Sequence, residues 1–114
     1  MSKELTIAGL EHRLESAKGA VAHAEEVRKL LENPLFRKVI LRQFCVEDCA
    51  RYVQESGDPL LEANNRADAL NMAQAAGHLR RWLDLAIRMG EREADVILQV
   101  QDELDVVRAE PEDE

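Results

Sequence analysis

One apolar seam runs from Ala69 to Val107 in alternating three- and four-residue steps. Its positions are Ala69, Met72, Ala76, Leu79, Leu83, Ala86, Gly90, Glu93, Ile97, Val100, Leu104 and Val107. Ten of the twelve are apolar, and the register survives Gly90. Spacing of this kind is the mark of a helix that buries one stripe. A hairpin would have no reason to hold its phase through a turn. The pattern therefore predicts one long helix over about residues 60–109, with Gly90 the natural place for any kink. At about 1.5 Å per residue such a helix is about 75 Å long. A compact domain of 114 residues is only about 28 Å across, given a radius of gyration near 13 Å. The long helix is thus expected to overhang its own bundle. Ile97, Val100, Leu104 and Val107 are then the candidate interface for another molecule.

Two further helices precede it. Ile7, Leu10, Leu14, Ala17, Val21 and Ala24 make a second heptad seam, which slips at Val27 and closes on Leu31. This seam predicts a helix over about residues 5–32. Its Ala-rich middle admits a closely approaching partner, but few large residues anchor it. Asn33-Pro34 ends it and starts the next: Asn is a favoured N-cap, and Pro at the first helical position forfeits no needed hydrogen bond. The second helix, over about residues 34–55, carries Phe36, Ile40 and Phe44 at four-residue steps, with Val39, Val46, Cys49, Ala50 and Val53 widening the stripe. Phe36, Ile40, Phe44, Trp82 and Leu83 are the expected core anchors. Arg37, Lys38 and Arg42 make the opposite face basic, either as a solvated surface or as docking charges for acidic groups. Gly57 suits a left-handed position past the helix end, Asp58 a cap and Pro59 the next start. The fold expected is all-α: one domain over residues 1–110, a three-helix bundle or helical hairpin, with an acidic tail over residues 111–114.

The net charge of −8 comes from residues 91–114, which hold ten acidic and two basic side chains. That segment is either a solvated helix end and tail, or a surface that docks on a basic partner or mimics nucleic acid. The two cysteines, Cys45 and Cys49, lie four apart on one helix, a poor geometry for a disulfide, and are expected as reduced thiols. No run of apolar residues nears the ~20 needed to span a bilayer. Met1-Ser2-Lys3-Glu4 lacks the order of a signal peptide. A soluble cytoplasmic protein with no membrane partner is expected.

Signs of chemistry are sparse. There is no Gly-rich phosphate loop and no nucleophile elbow. The residues three before His12, His23 and His78 are Gly9, Ala20 and Ala75, so no Glu-x-x-His metal pair exists. Glu47 and Asp48 are adjacent and point apart. No enzyme activity, cofactor or metal is expected. Direct nucleic-acid binding is not expected either, because the chain is acidic and lacks an aromatic platform. The cluster of His78, Arg80 and Arg81 reads as solvated.

Leu30, Leu31, Asn33, Pro34, Phe36, Lys38, Val39 and Ile40, then Phe44, Glu47 and Asp48, form a pattern that resembles a family of small tailed-phage proteins encoded among virion-assembly genes. Ala76-Gly77-His78-Leu79-Arg80-Arg81-Trp82-Leu83 and Met89-Gly90-Glu91 resemble the same family, so the likeness covers roughly residues 25–110. Cys45, Cys49 and the long N-terminal heptad helix depart from it. The resemblance implies a structural or assembly role: a scaffold, connector or internal head component, found in the host cytoplasm and the virion, with other virion proteins as partners. The expected mechanism is homo-oligomerisation through helical seams. Two alternatives stand beside it: a small acidic inhibitor or nucleic-acid mimic of a host enzyme, and a coiled-coil adaptor or regulator.

Overall fold

A computed structural model describes residues 2–111; apart from the two ends, Asn33 and the turn over residues 57–62 these are helical, with no strand among them. Helix α1 is Lys3–Glu32. Ser2 caps it, its Oγ accepting from Leu5 N at 3.2 Å. Asn33 stops it in an extended conformation (φ −67°, ψ 121°), as a residue before Pro must. The Asn33 Oδ1 accepts from Leu35 N at 2.9 Å and Phe36 N at 3.1 Å, starting α2, Pro34–Phe36. The chain continues as a π-helix, Arg37–Asp48, and returns to α geometry in α3, Cys49–Ser56. After a turn, α4 runs unbroken from Ala63 to Ala109. The acidic tail lies, beyond Pro111, outside the described residues.

The long helix is as the seam predicts, and it passes through Gly90 without interruption. The turn before it differs from expectation. Gly57 has φ −105°, ψ 2°, so it does not occupy the left-handed region. Asp58 Oδ1 accepts from Leu60 N at 2.9 Å, but this cap closes a local turn, and α4 begins only at Ala63.

The π-helix explains a second departure. A stripe repeating every four residues outruns the 3.6-residue α turn, so on an α-helix it drifts by about 40° per step. A π turn, closed by i→i+5 bonds, holds more residues and drifts the other way. Mixing the two keeps the stripe on one side. Phe36, Ile40, Phe44, Asp48 and Tyr52 are accordingly half-buried at four-residue steps, with Leu41, Cys45 and Cys49 beside them. The wider turn is visible in its bonds. Cys49 N–H donates to Phe44 O, Gln43 Nε2 donates to Asp48 Oδ1 at 2.8 Å, and Arg42 Nε lies 3.6 Å from Glu47 Oε1. Val39, Val46, Ala50 and Val53, expected to widen the apolar stripe, are instead exposed. They belong to it only at α-helical spacing.

The chain packs as two compact units: Met1–Val27 with Ala86–Glu114, and Arg28–Leu85. In the first, α1 runs antiparallel to the C-terminal half of α4. Lys3 Nζ donates to Glu110 O at 2.7 Å near one end, and Gly90 meets Ala24 near the other. The buried line is Ala17, Ala24 and Val27 on α1, with Gly90, Glu93, Val100 and Leu104 on α4. Val100 (5 % exposed) and Leu104 (2 %) are thus covered by the chain itself, while Ile97 and Val107 are half-buried. This corrects the expectation of an overhanging seam. With 30 residues, α1 is long enough to run beside that half of α4.

In the second unit, the helical stretch 34–56 packs on the first half of α4. Cys45 Sγ lies 4.0 Å from Ala76 O, and Cys49 Sγ 3.7 Å from Ala73 O. The buried residues are Cys45, Ala69, Ala76 and Leu83. Of the expected core anchors, Leu83 is fully in place, and Phe36, Ile40 and Phe44 are half-buried. Trp82 is 55 % exposed, and that assignment is corrected. Small side chains occupy the contact line and bring the helices close, so the large aromatic rings sit at its flanks.

Candidate interaction surfaces

Among the described residues, no three His, Cys, Asp or Glu side chains gather as a metal site would require. His12, His23 and His78 all stand at exposed positions, on different stretches of helix. Cys45 and Cys49 carry free thiols. Burial pushes the Cys45 thiol above its ordinary pKa, with Arg80 opposing and Cys49 adding to the shift. A thiol pushed toward its protonated form is the less reactive for it.

The second unit has a cleft of about 490 Å³ beside Tyr52, Asp58, Asn65 and Met72. Two of its carboxylates, Asp58 and Glu55, are engaged in structure. Asp58 closes the turn, and Glu55 accepts from Arg51 at 3.1 Å. The Arg51 guanidinium also stands 4.6 Å from the Tyr52 ring centre, a cation–π contact. No nucleophile and base are paired there.

Two helices side by side leave a groove on each flank, and the first unit has both. One flank, of about 450 Å³, is mixed: Glu11, Gln101 and Asp105 line it beside Leu14 and Leu104, and Arg108 Nη2 donates to Glu11 Oε1 at 3.0 Å across it. The other, of about 310 Å³, has an apolar floor of Leu10, Val106 and Val107 with the Thr6 methyl, and a rim of Asp102 and Glu103. Val106 is 61 % exposed. The sequence seam left Val106 out, because it lies one position off the buried line. The only sequence signal for it is the adjacent apolar pair Val106-Val107, which widens the stripe on one side.

The charged residues singled out on the second unit, Arg37, Lys38 and Arg42, are all exposed. The burial pattern repeats every four residues, so Lys38 and Val39, then Arg42 and Gln43, then Val46 and Glu47 succeed one another along the outward side. Leu35, 67 % exposed, stands at the start of this stretch. From Pro34 to Val46 there are three basic residues and no acidic one. An apolar, basic face thus lies on the back of the stretch whose front holds the thiols.

The structure also explains the two positions of the long seam that are not apolar. Gly90 packs directly against Ala24 of α1, with no space for a β-carbon. Glu93, 8 % exposed, is held by Arg13, whose Nη2 donates to Glu93 Oε2 at 2.7 Å. No helix among the described residues is long and apolar enough to cross a membrane. Comparison of the chain with models of protein families, with curated proteins and with solved structures finds no match.

Proposed function

We propose that this chain is a non-enzymatic structural or assembly protein of a bacteriophage particle, acting by self-association of helical surfaces. The observation that carries the reading is the amount of large apolar side chain left uncovered on helices whose contact lines are already closed. Leu5, Leu98 and Val106 on the first unit, and Leu35, Val53 and Trp82 on the second, are all more than half exposed. Isolated exposed apolar residues are ordinary, but Val106 lines a formed apolar groove, and such a groove marks an interaction surface. The Leu30–Phe44 pattern and the Arg80-Arg81-Trp82 stretch supply the phage assignment by resemblance. Sedimentation of the purified chain over a range of concentrations tests self-association. Mass spectrometry of purified particles tests the virion assignment. A chain that stays monomeric and is captured by no virion component would remove both parts.

A second reading rests on charge. Fifteen acidic and six basic residues fall in the range of the first unit, against eight and nine in the second. Such a surface suits an acidic inhibitor or nucleic-acid mimic acting on a basic host enzyme. Neutralising acidic residues over positions 91–110 would then abolish inhibition and leave the oligomeric state unchanged.

A further inference from the structure

We infer that the acid-rimmed groove of the first unit takes the basic, apolar face of residues 35–46 from a second copy of this chain. The inference rests on the self-association reading and names its two surfaces.

The groove has the form that a third helix fills in a bundle: two antiparallel helices, an apolar floor and a polar edge. Leu10, Val106 and Val107 make the floor, and Asp102 with Glu103 make the edge. Its occupant must be helical, must offer aliphatic side chains on its outward side, and must carry positive charge beside them. The stretch 35–46 meets each condition. It is helical throughout, Leu35, Val39 and Val46 are exposed, and Arg37, Lys38 and Arg42 are exposed with no acidic residue among them. Like charges at such a contact would repel, so complementarity also fixes which face enters.

The two surfaces are different. Two copies that exchange them reciprocally close a two-fold dimer, whereas a groove and a face that engage different neighbours build closed rings or open filaments. A groove of this size makes a weak contact between two copies, so assembly depends on concentration.

A charge swap tests this on the full chain. The first variant carries Asp102→Lys with Glu103→Lys. The second carries Arg37→Glu with Lys38→Glu, which spares the Arg42–Glu47 pair. All four positions are exposed, and far-UV circular dichroism confirms that each variant keeps its helices. In sedimentation velocity at ~0.1 M salt, where charges act over about 10 Å, each variant alone is expected to associate at least tenfold more weakly than wild type. Each then presents like charge to like. An equimolar mixture is expected to recover assembly, since the basic groove of one fits the acidic face of the other. Raising salt to ~1 M, where that range shrinks to about 3 Å, should weaken the wild type. Val106→Asp is the check on the apolar floor and should lower association by a similar factor. If wild type assembles and the mixture shows no recovery, the surfaces named here are wrong while self-association stands. If wild type sediments as a monomer up to millimolar concentration, the inference and the reading beneath it both fall.

Discussion

Gly90 on α4 faces Ala24 on α1 with no room for another carbon: a β-carbon added at Gly90 would collide with the Ala24 methyl and lie 3.5 Å from Ala20 O. The neighbour is a methyl fixed directly to the α1 backbone, so it cannot rotate away. Glycine inside a helix costs about 1 kcal/mol against alanine. Overpacking costs about 1–3 kcal/mol. Gly90→Ala is therefore expected to destabilise the chain despite its better helix propensity, and Gly90→Val to do so more. Thermal melts of Gly90→Ala alone and combined with Ala24→Gly check this. The pair should recover most of the loss, and a melt for Gly90→Ala above wild type would rule out the steric account.

The pairing of Arg13 with Glu93 buries one carboxylate in an otherwise apolar line. Breaking a fully buried pair costs about 3–5 kcal/mol. Arg13 keeps 43 % of its side chain exposed, so solvent screens part of this. Arg13→Ala should cost about 1–2 kcal/mol in urea denaturation after that discount. Replacing both residues with leucine should cost less than the sum of the two single changes. A double-mutant cycle with no coupling would show that the contact contributes nothing.

Burial raises the pKa of Cys45, so the folded chain holds its proton more tightly than the unfolded one. Linkage sets the sign: where the unfolded state binds fewer protons, stability falls as pH rises. This contribution is intact below about pH 8.5, the ordinary thiol value. It declines above that, up to the raised value. Comparison of wild type with Cys45→Ala across pH 7–10 should show the extra decline only in wild type. Native Cys45 should also react with a disulfide reagent only after unfolding, which a thiol count in and out of denaturant measures.

The Asn33 side chain closes two backbone donors at once. Asn33→Ala should cost about 1 kcal/mol, the usual loss of an N-cap, and Asn33→Asp little. Equal melting temperatures for wild type and Asn33→Ala would show that Pro34 alone sets the helix start.

The parts of this fold legible in the sequence are those set by local rules. Asn33-Pro34 announces a cap, and the unbroken phase from Ala69 to Val107 announces α4, because both depend on neighbours within a few residues. The partner of α4 is harder to see. Large residues signal strong packing, and α1 has few of them. Its alanines work by letting a backbone approach, which Gly90 completes from the other side. Trp82 misleads for the converse reason: a large ring is excluded from a contact line of small residues. The groove at Val106 and the outward face at Val39 are hidden more deeply. Both depend on which side of a helix is already covered, and that is a tertiary fact.

Ion-pair spacing works as a ruler along residues 34–56. Arg51 and Glu55 meet at four residues in α3, whereas Arg42 and Glu47 meet at five in the π-helix. Losing one residue from an ordinary helix rotates everything beyond it by about 100°. Inside a run of wide turns, the same loss converts a wide turn into an ordinary one and leaves Cys49 and Tyr52 near their places. Among the described residues, Arg37–Asp48 is therefore a stretch where the chain can shorten by a residue without turning the helix beyond it to a new face.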